Sequence, residues 1–173
     1  MSSAEYLAFI PLLIYGLGLT ILLSEWRRII DLNEIFLPYT LFTLVLTELA
    51  VYNVFIYGNV VDQFEGKSYL GYLGLLVSPI LFYLSAHVFT PDPGEKTKEY
   101  FLRRMPMTFS LIALLVGSNF IYDLEKSPLF NMVRILFIIL LLVAGFTRKI
   151  WITYLIVAIW LVTFLFRGSL LSV

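Results

Sequence analysis

Six long apolar runs, separated by short polar or turn-forming segments, dominate the chain. The first extends from Tyr6 to Ser24, the second from Ile35 to Tyr57 and the third from Tyr69 to Thr90. The last three are shorter: Met107 to Tyr122, Leu129 to Gly145 and Ile150 to Phe166. An α-helix needs roughly 20 apolar residues to cross the hydrocarbon core, and about 17 suffice when the flanks snorkel. The runs are continuous rather than alternating, and a lone strand in lipid leaves its backbone groups unpaired, so helices are predicted in preference to a β-barrel. The expected fold class is all-α, a polytopic transmembrane helical bundle of about six spans forming a single domain over residues 1–173. Pro91-Asp92-Pro93-Gly94 and Ser127-Pro128 mark turns, and the segment from Thr90 to Pro106 reads as a connecting loop. Residues Met1 to Glu5 lack a basic n-region, so the first run is read as a retained helix.

The charged residues orient these spans. Arg27, Arg28, Lys96, Lys98, Arg103, Arg104, Arg148 and Lys149 fall in the odd-numbered connections, whereas only Lys67, Lys126, Arg134 and Arg167 lie elsewhere. Positive residues accumulate on the cytoplasmic side, so both termini are expected outside. Arg134 makes the fifth run the least secure span, because it sits within the first turns. Three helices on each side of the central loop would have opposite orientations, as in an inverted repeat, but no residues match between the halves.

Composition narrows the function classes. The chain is 60% hydrophobic and 14% charged, too apolar for a single water-soluble core, and its twelve basic and twelve acidic residues cancel. Nucleic acid is therefore not an expected partner. With no cysteine, thiolate metal sites and thiol nucleophiles are excluded. No phosphate-cradling glycine loop and no HExxH motif is present, so neither a cofactor nor a metal is expected. The expected location is a bacterial inner (plasma) membrane, with the lipid bilayer as the main partner.

Glu48 stands out because it lies near the middle of the second run, where a charged carboxylate costs at least about 2.5 kcal/mol. Thr40, Thr43, Thr47 and Glu48 fall within one arc of a helical wheel, and Tyr52 follows one turn later. This polar stripe reads either as an ion- or ligand-handling path or as hydrogen-bonded packing between helices. His87, the single histidine, follows Tyr83 by one turn near the end of the third run. A relay or ligand role is open to it, although no second histidine is available for bis-imidazole ligation. Gly16, Thr20 and Ser24 on the first run, and Gly71, Gly74, Ser78 and Ser85 on the third, form small-residue stripes expected to be packing seams. Lys96, Lys98, Arg103 and Arg104, interleaved with Tyr100 and Phe101, suit anionic lipid or a cytoplasmic protein partner.

Several of these segments carry a resemblance. Gly16-Leu17-Gly18-Leu19 leading to Glu25-Trp26-Arg27-Arg28, Tyr52-Asn53-Val54-Phe55, Ser78-Pro79-Ile80-Leu81-Phe82-Tyr83-Leu84, Phe89-Thr90-Pro91 and Glu99-Tyr100-Phe101 are similar to a group of small, uncharacterised bacterial hydrophobic membrane proteins with about six transmembrane helices. The similarity covers roughly residues 10 to 105, and Met105-Pro106 departs from the pattern. It implies an architecture and no activity. The residues themselves lead to three expectations: an oligomeric channel or transporter with a path around Glu48, a membrane adaptor acting through its basic loop, and an intramembrane enzyme acting on a lipid or quinone near His87 and Tyr83.

Overall fold

A computed structural model of the chain describes residues 3–30, 35–60, 68–120 and 128–170, and these are helical apart from short connections. In chain order the helices are α1 (Ser3–Ser24), α2 (Trp26–Ile30), α3 (Leu37–Val60), α4 (Tyr69–Phe89), α5 (Thr97–Ser118), α6 (Pro128–Thr147) and α7 (Ile150–Leu170). The fold is all-helical. Four stretches are long and apolar enough to cross a membrane: Ala8–Ile30, Leu37–Phe55, Tyr69–Phe89 and Thr97–Ser118. Asn131–Thr147 and Ile150–Leu165 are shorter apolar stretches.

The long helices touch in a closed circuit, α1 to α4 to α5 to α6 to α7 to α3 and back to α1, with α3 also meeting α5. Cross-helix contacts fix their directions. Tyr15 of α1 meets Ser78 of α4, and Gly18, further along α1, meets Phe82 and Tyr83, further along α4, so the two helices run parallel. Tyr39 of α3 bonds Glu25 at the end of α1 and stacks on Phe89 at the end of α4, Tyr100 of α5 bonds Val88 of α4, and Gly145 of α6 lies against Met105 of α5, with only Arg148 and Lys149 between α6 and α7. The C-terminal ends of α1, α4 and α6 and the starts of α3, α5 and α7 therefore share one end of the bundle. Arg27, Arg28, Lys96, Lys98, Arg103, Arg104, Arg148 and Lys149 all belong to that end.

An aromatic core sits just inside it. Tyr39 stacks on Phe89 with ring centroids 4.5 Å apart, and Phe42 stacks on Phe109 at 4.7 Å. Phe101 packs edge-on to Tyr39, Phe89 and Phe109. Such pairs each contribute about 0.5–1.5 kcal/mol beyond burial.

One expectation is corrected. The segment expected to be a loop up to Pro106 is already helical from Thr97, so Lys98, Arg103 and Arg104 stand on the first turns of α5. The reason is periodicity: Thr97, Tyr100, Phe101, Met105, Thr108, Phe109 and Ile112 recur at three- and four-residue intervals and form one buried face. The polar residues between them simply occupy the outer face. In the small-residue seam on α1, Gly16 is exposed and a Cβ there would meet nothing within 4 Å. The close approach is at Gly18, where a Cβ would stand 2.7 Å from the Phe82 ring and 3.3 Å from the Tyr83 Cα. A similar approach at Gly145 brings α6 against Met105, Pro106 and Phe109 of α5.

Candidate functional site

The apolar run of α1 ends at Ser24, and the helix breaks at Glu25 before resuming as α2. Glu25 is nevertheless buried, at 7% exposure. Its carboxylate accepts a hydrogen bond from the Tyr39 hydroxyl at 3.0 Å and pairs with Arg28 Nε at 3.1 Å. A buried ion pair requires further hydrogen bonds to offset desolvation, and Arg28 has them. Its two terminal nitrogens donate to the backbone carbonyls of Asp92 and Glu95, each at 3.1 Å. One arginine thus ties the end of α1 to the connection between α4 and α5.

That connection is shaped by its residues. The Glu95 amide donates to the Asp92 carbonyl at 3.1 Å, with Pro93 and Gly94 between. Gly94 has φ +89°, the left-handed position that a Pro-Gly turn requires and that an L side chain resists. The Tyr100 hydroxyl donates to the Val88 carbonyl at 2.8 Å, holding α5 against the last turn of α4. Arg103 pairs with Glu95 on the exposed side, and Lys96 meets Glu99 at 3.4 Å.

Between these elements lies a cavity of about 420 Å³. Ser24, Glu25 and Arg28 wall one side, and His87 and Thr90 wall another. Asp92, Tyr100 and Arg104 complete the polar lining. The Thr90 hydroxyl is buried without a hydrogen-bond partner. Arg104 lies over the Tyr100 ring, 6.0 Å from its centroid, and His87 lies parallel to Tyr83 one turn away, with centroids 6.4 Å apart. Arg104 and Asp92 border the same cavity without forming an ion pair among the described residues. The arrangement offers an anion a guanidinium, an imidazole and hydroxyls, and it offers a cation one carboxylate at the rim. A second cavity, about 280 Å³, lies against the start of α5 and borders Lys96 and Lys98.

The polar stripe of the second run lies on α3. The Thr43 hydroxyl donates to the Tyr39 carbonyl and the Thr47 hydroxyl to the Thr43 carbonyl, both at 2.8 Å, so each bonds to its own helix. Thr40 and Tyr52 are half-buried. Glu48, also half-buried, accepts a hydrogen bond from the Trp160 indole at 3.0 Å, which joins α3 to α7 at mid-bundle depth. Neither cavity borders Glu48. In the seams, Thr20 donates to the Gly16 carbonyl, Gly71 donates its amide to the Ser68 hydroxyl, and Gly74 would present a Cβ to open space. Ser78 hydrogen-bonds Tyr15 at 2.7 Å, and Ser85 donates to the Leu81 carbonyl. Arg134 is buried near the start of α6, where it donates to Asn131 and lies over the Phe120 ring.

The structure therefore brings His87 and Arg104 together with Glu25, Arg28, Thr90 and Asp92, a group that the sequence did not assemble. The signal available was the three-residue spacing of Glu25 and Arg28 at the end of an apolar run, which suits an ion pair on one helical turn. Comparison with known proteins returns no matching family model, no matching curated protein and no matching solved structure.

Proposed function

We propose that this is an integral membrane protein of the bacterial inner membrane, with six spans and both termini outside, that binds the charged head of a small ligand in the cavity at its cytoplasmic face. The number of spans is supported by length, since α6 and α7 contain 20 and 21 residues and a helix rises 1.5 Å per residue, about 30 Å in each case. The orientation is supported by the eight cations gathered at one end of the bundle. The observation that carries the functional reading is the pair of opposite charges, Arg104 and Asp92, facing one cavity without neutralising each other.

Binding fits this geometry better than a path along α3, where the Thr43 and Thr47 hydroxyls donate to their own backbone. The test exploits the absence of native cysteine. A Ser24→Cys variant should react with a membrane-impermeant maleimide only from the cytoplasmic side of oriented vesicles. Reaction from outside would overturn the orientation, and no reaction from either side would overturn the open cavity. A reporter fused at Val173 that works only in the cytoplasm would equally sink the topology.

A further inference from the structure

We infer that the ligand of this cavity is an aminophospholipid, with its phosphate set against Arg104 and His87 and its primary amine against Asp92. This inference rests on the cavity reading above and adds the ligand's chemical class.

The charge inventory comes first. Glu25 and Arg28 pair with each other, and Arg28 is further bonded to two carbonyls, so this pair contributes little net charge to the cavity. What remains is one guanidinium, Arg104, and one carboxylate, Asp92, both exposed and neither in an ion pair among the described residues. A purely anionic ligand would leave Asp92 facing like charge, and a purely cationic one would oppose Arg104. A zwitterion carrying phosphate and amine satisfies both. The exposed His87 ring borders the same cavity and supplies a further hydrogen-bonding group.

The second observation separates a lipid from a soluble zwitterion. Leu73, Val77, Ile80, Leu84 and His87 recur at intervals of four and three residues along α4, and all five are exposed. The first four form an apolar track that leads along about 20 Å of α4, at 1.5 Å per residue, to His87, the one member that borders the cavity. An acyl chain lying along this track has its headgroup delivered to His87. A soluble headgroup analogue would leave the track unused.

The experiment uses the full chain in phosphatidylcholine nanodiscs doped with equal amounts of phosphatidylethanolamine and phosphatidylglycerol, with native mass spectrometry counting the retained lipid. Phosphatidylethanolamine should be retained over both other lipids by about tenfold, the discrimination that one charge-assisted hydrogen bond supplies. Phosphatidylcholine carries the same charges without an N–H donor, so it isolates the amine contact. Asp92→Asn should abolish the preference for phosphatidylethanolamine, and Arg104→Gln should reduce retention of all headgroups. Both positions are exposed, and unaltered thermal unfolding of each variant would show that retention, not folding, has changed. Preference for phosphatidylglycerol, lost in Arg104→Gln, would overturn the aminophospholipid while leaving the cavity reading intact. Soluble phosphoethanolamine displacing the lipid at equal concentration would overturn the lipid source. Equal retention of all three lipids, unaffected by either variant, would overturn the inference and the cavity reading together.

Discussion

Glu25 and Glu48 are both carboxylates placed within an apolar bundle, and the protein treats them in opposite ways. Glu48 lies deep along α3, and an indole from α7 donates to it across the helix contact. Glu25 lies at the end of α1, where a tyrosine and an arginine converge on it and a polar cavity opens beside it. The deeper residue joins two helices, whereas the one near the end organises a junction among α1, α2, α3 and the α4–α5 connection. Depth alone therefore does not identify the working carboxylate. Access to a cavity and the presence of charges left unpaired are the better guide.

The largest expected effect tests whether Glu25 anchors that junction. Glu25→Ala leaves Arg28 in place without its counter-charge, and removing one member of a buried pair costs about 3–5 kcal/mol. Thermal unfolding in detergent should show this loss, and Glu25→Ala combined with Arg28→Met should recover part of it. A loss below 1 kcal/mol, typical of an exposed pair, would erase the distinction drawn between the two carboxylates.

Tyr39→Phe comes next. It keeps the ring stacked on Phe89 and removes the hydroxyl donated to Glu25, which still has Arg28, so the expected cost is about 1.5–3 kcal/mol for one hydrogen bond to a charged group. Because both changes act on the same carboxylate, a double-mutant cycle with Glu25→Ala should be non-additive. Additivity in the unfolding measurement would show that the tyrosine acts through packing alone.

Much of the helical framework was legible in the apolar runs because continuous apolar stretches of this length favour helices over strands. The start of α4 at Tyr69 and that of α7 at Ile150 fall where the runs begin. The start of α5 was missed because Lys98, Arg103 and Arg104 lower local hydropathy, although Tyr100, Phe101 and Met105 keep helical spacing beneath them. The candidate site was less legible. His87 and Arg104 were visible individually, but the cavity depends on a break at Glu25 and a turn at Gly94 that place distant segments together, and no local pattern encodes that meeting. Gly16 illustrates the same limit: Gly16 and Gly18 point to different sides of α1, and only the position of Phe82 decides which one matters.

Trp160→Phe probes the other carboxylate and should cost less. It removes the indole donor while keeping an aromatic ring beside Phe164, and side-chain hydrogen bonds between membrane helices average about 0.6 kcal/mol with a maximum near 1.7. Unfolding measured alongside Tyr39→Phe gives the comparison directly. If Trp160→Phe proved the more damaging of the two, the mid-bundle contact would be the anchor and the end junction secondary.

The smallest expected effect is that of Glu48→Gln. The amide retains a carbonyl oxygen that can accept from Trp160, so the helix clasp survives and stability should change by less than about 0.6 kcal/mol. What the substitution removes is the capacity to carry charge at that depth. In vesicles under an imposed pH gradient, a protein in which Glu48 serves only as a contact should behave identically with either residue. A proton flux present in the native chain and abolished by Glu48→Gln would mean that the carboxylate conducts as well as clasps. Function would then have to be shared between the middle of α3 and the cavity at its end.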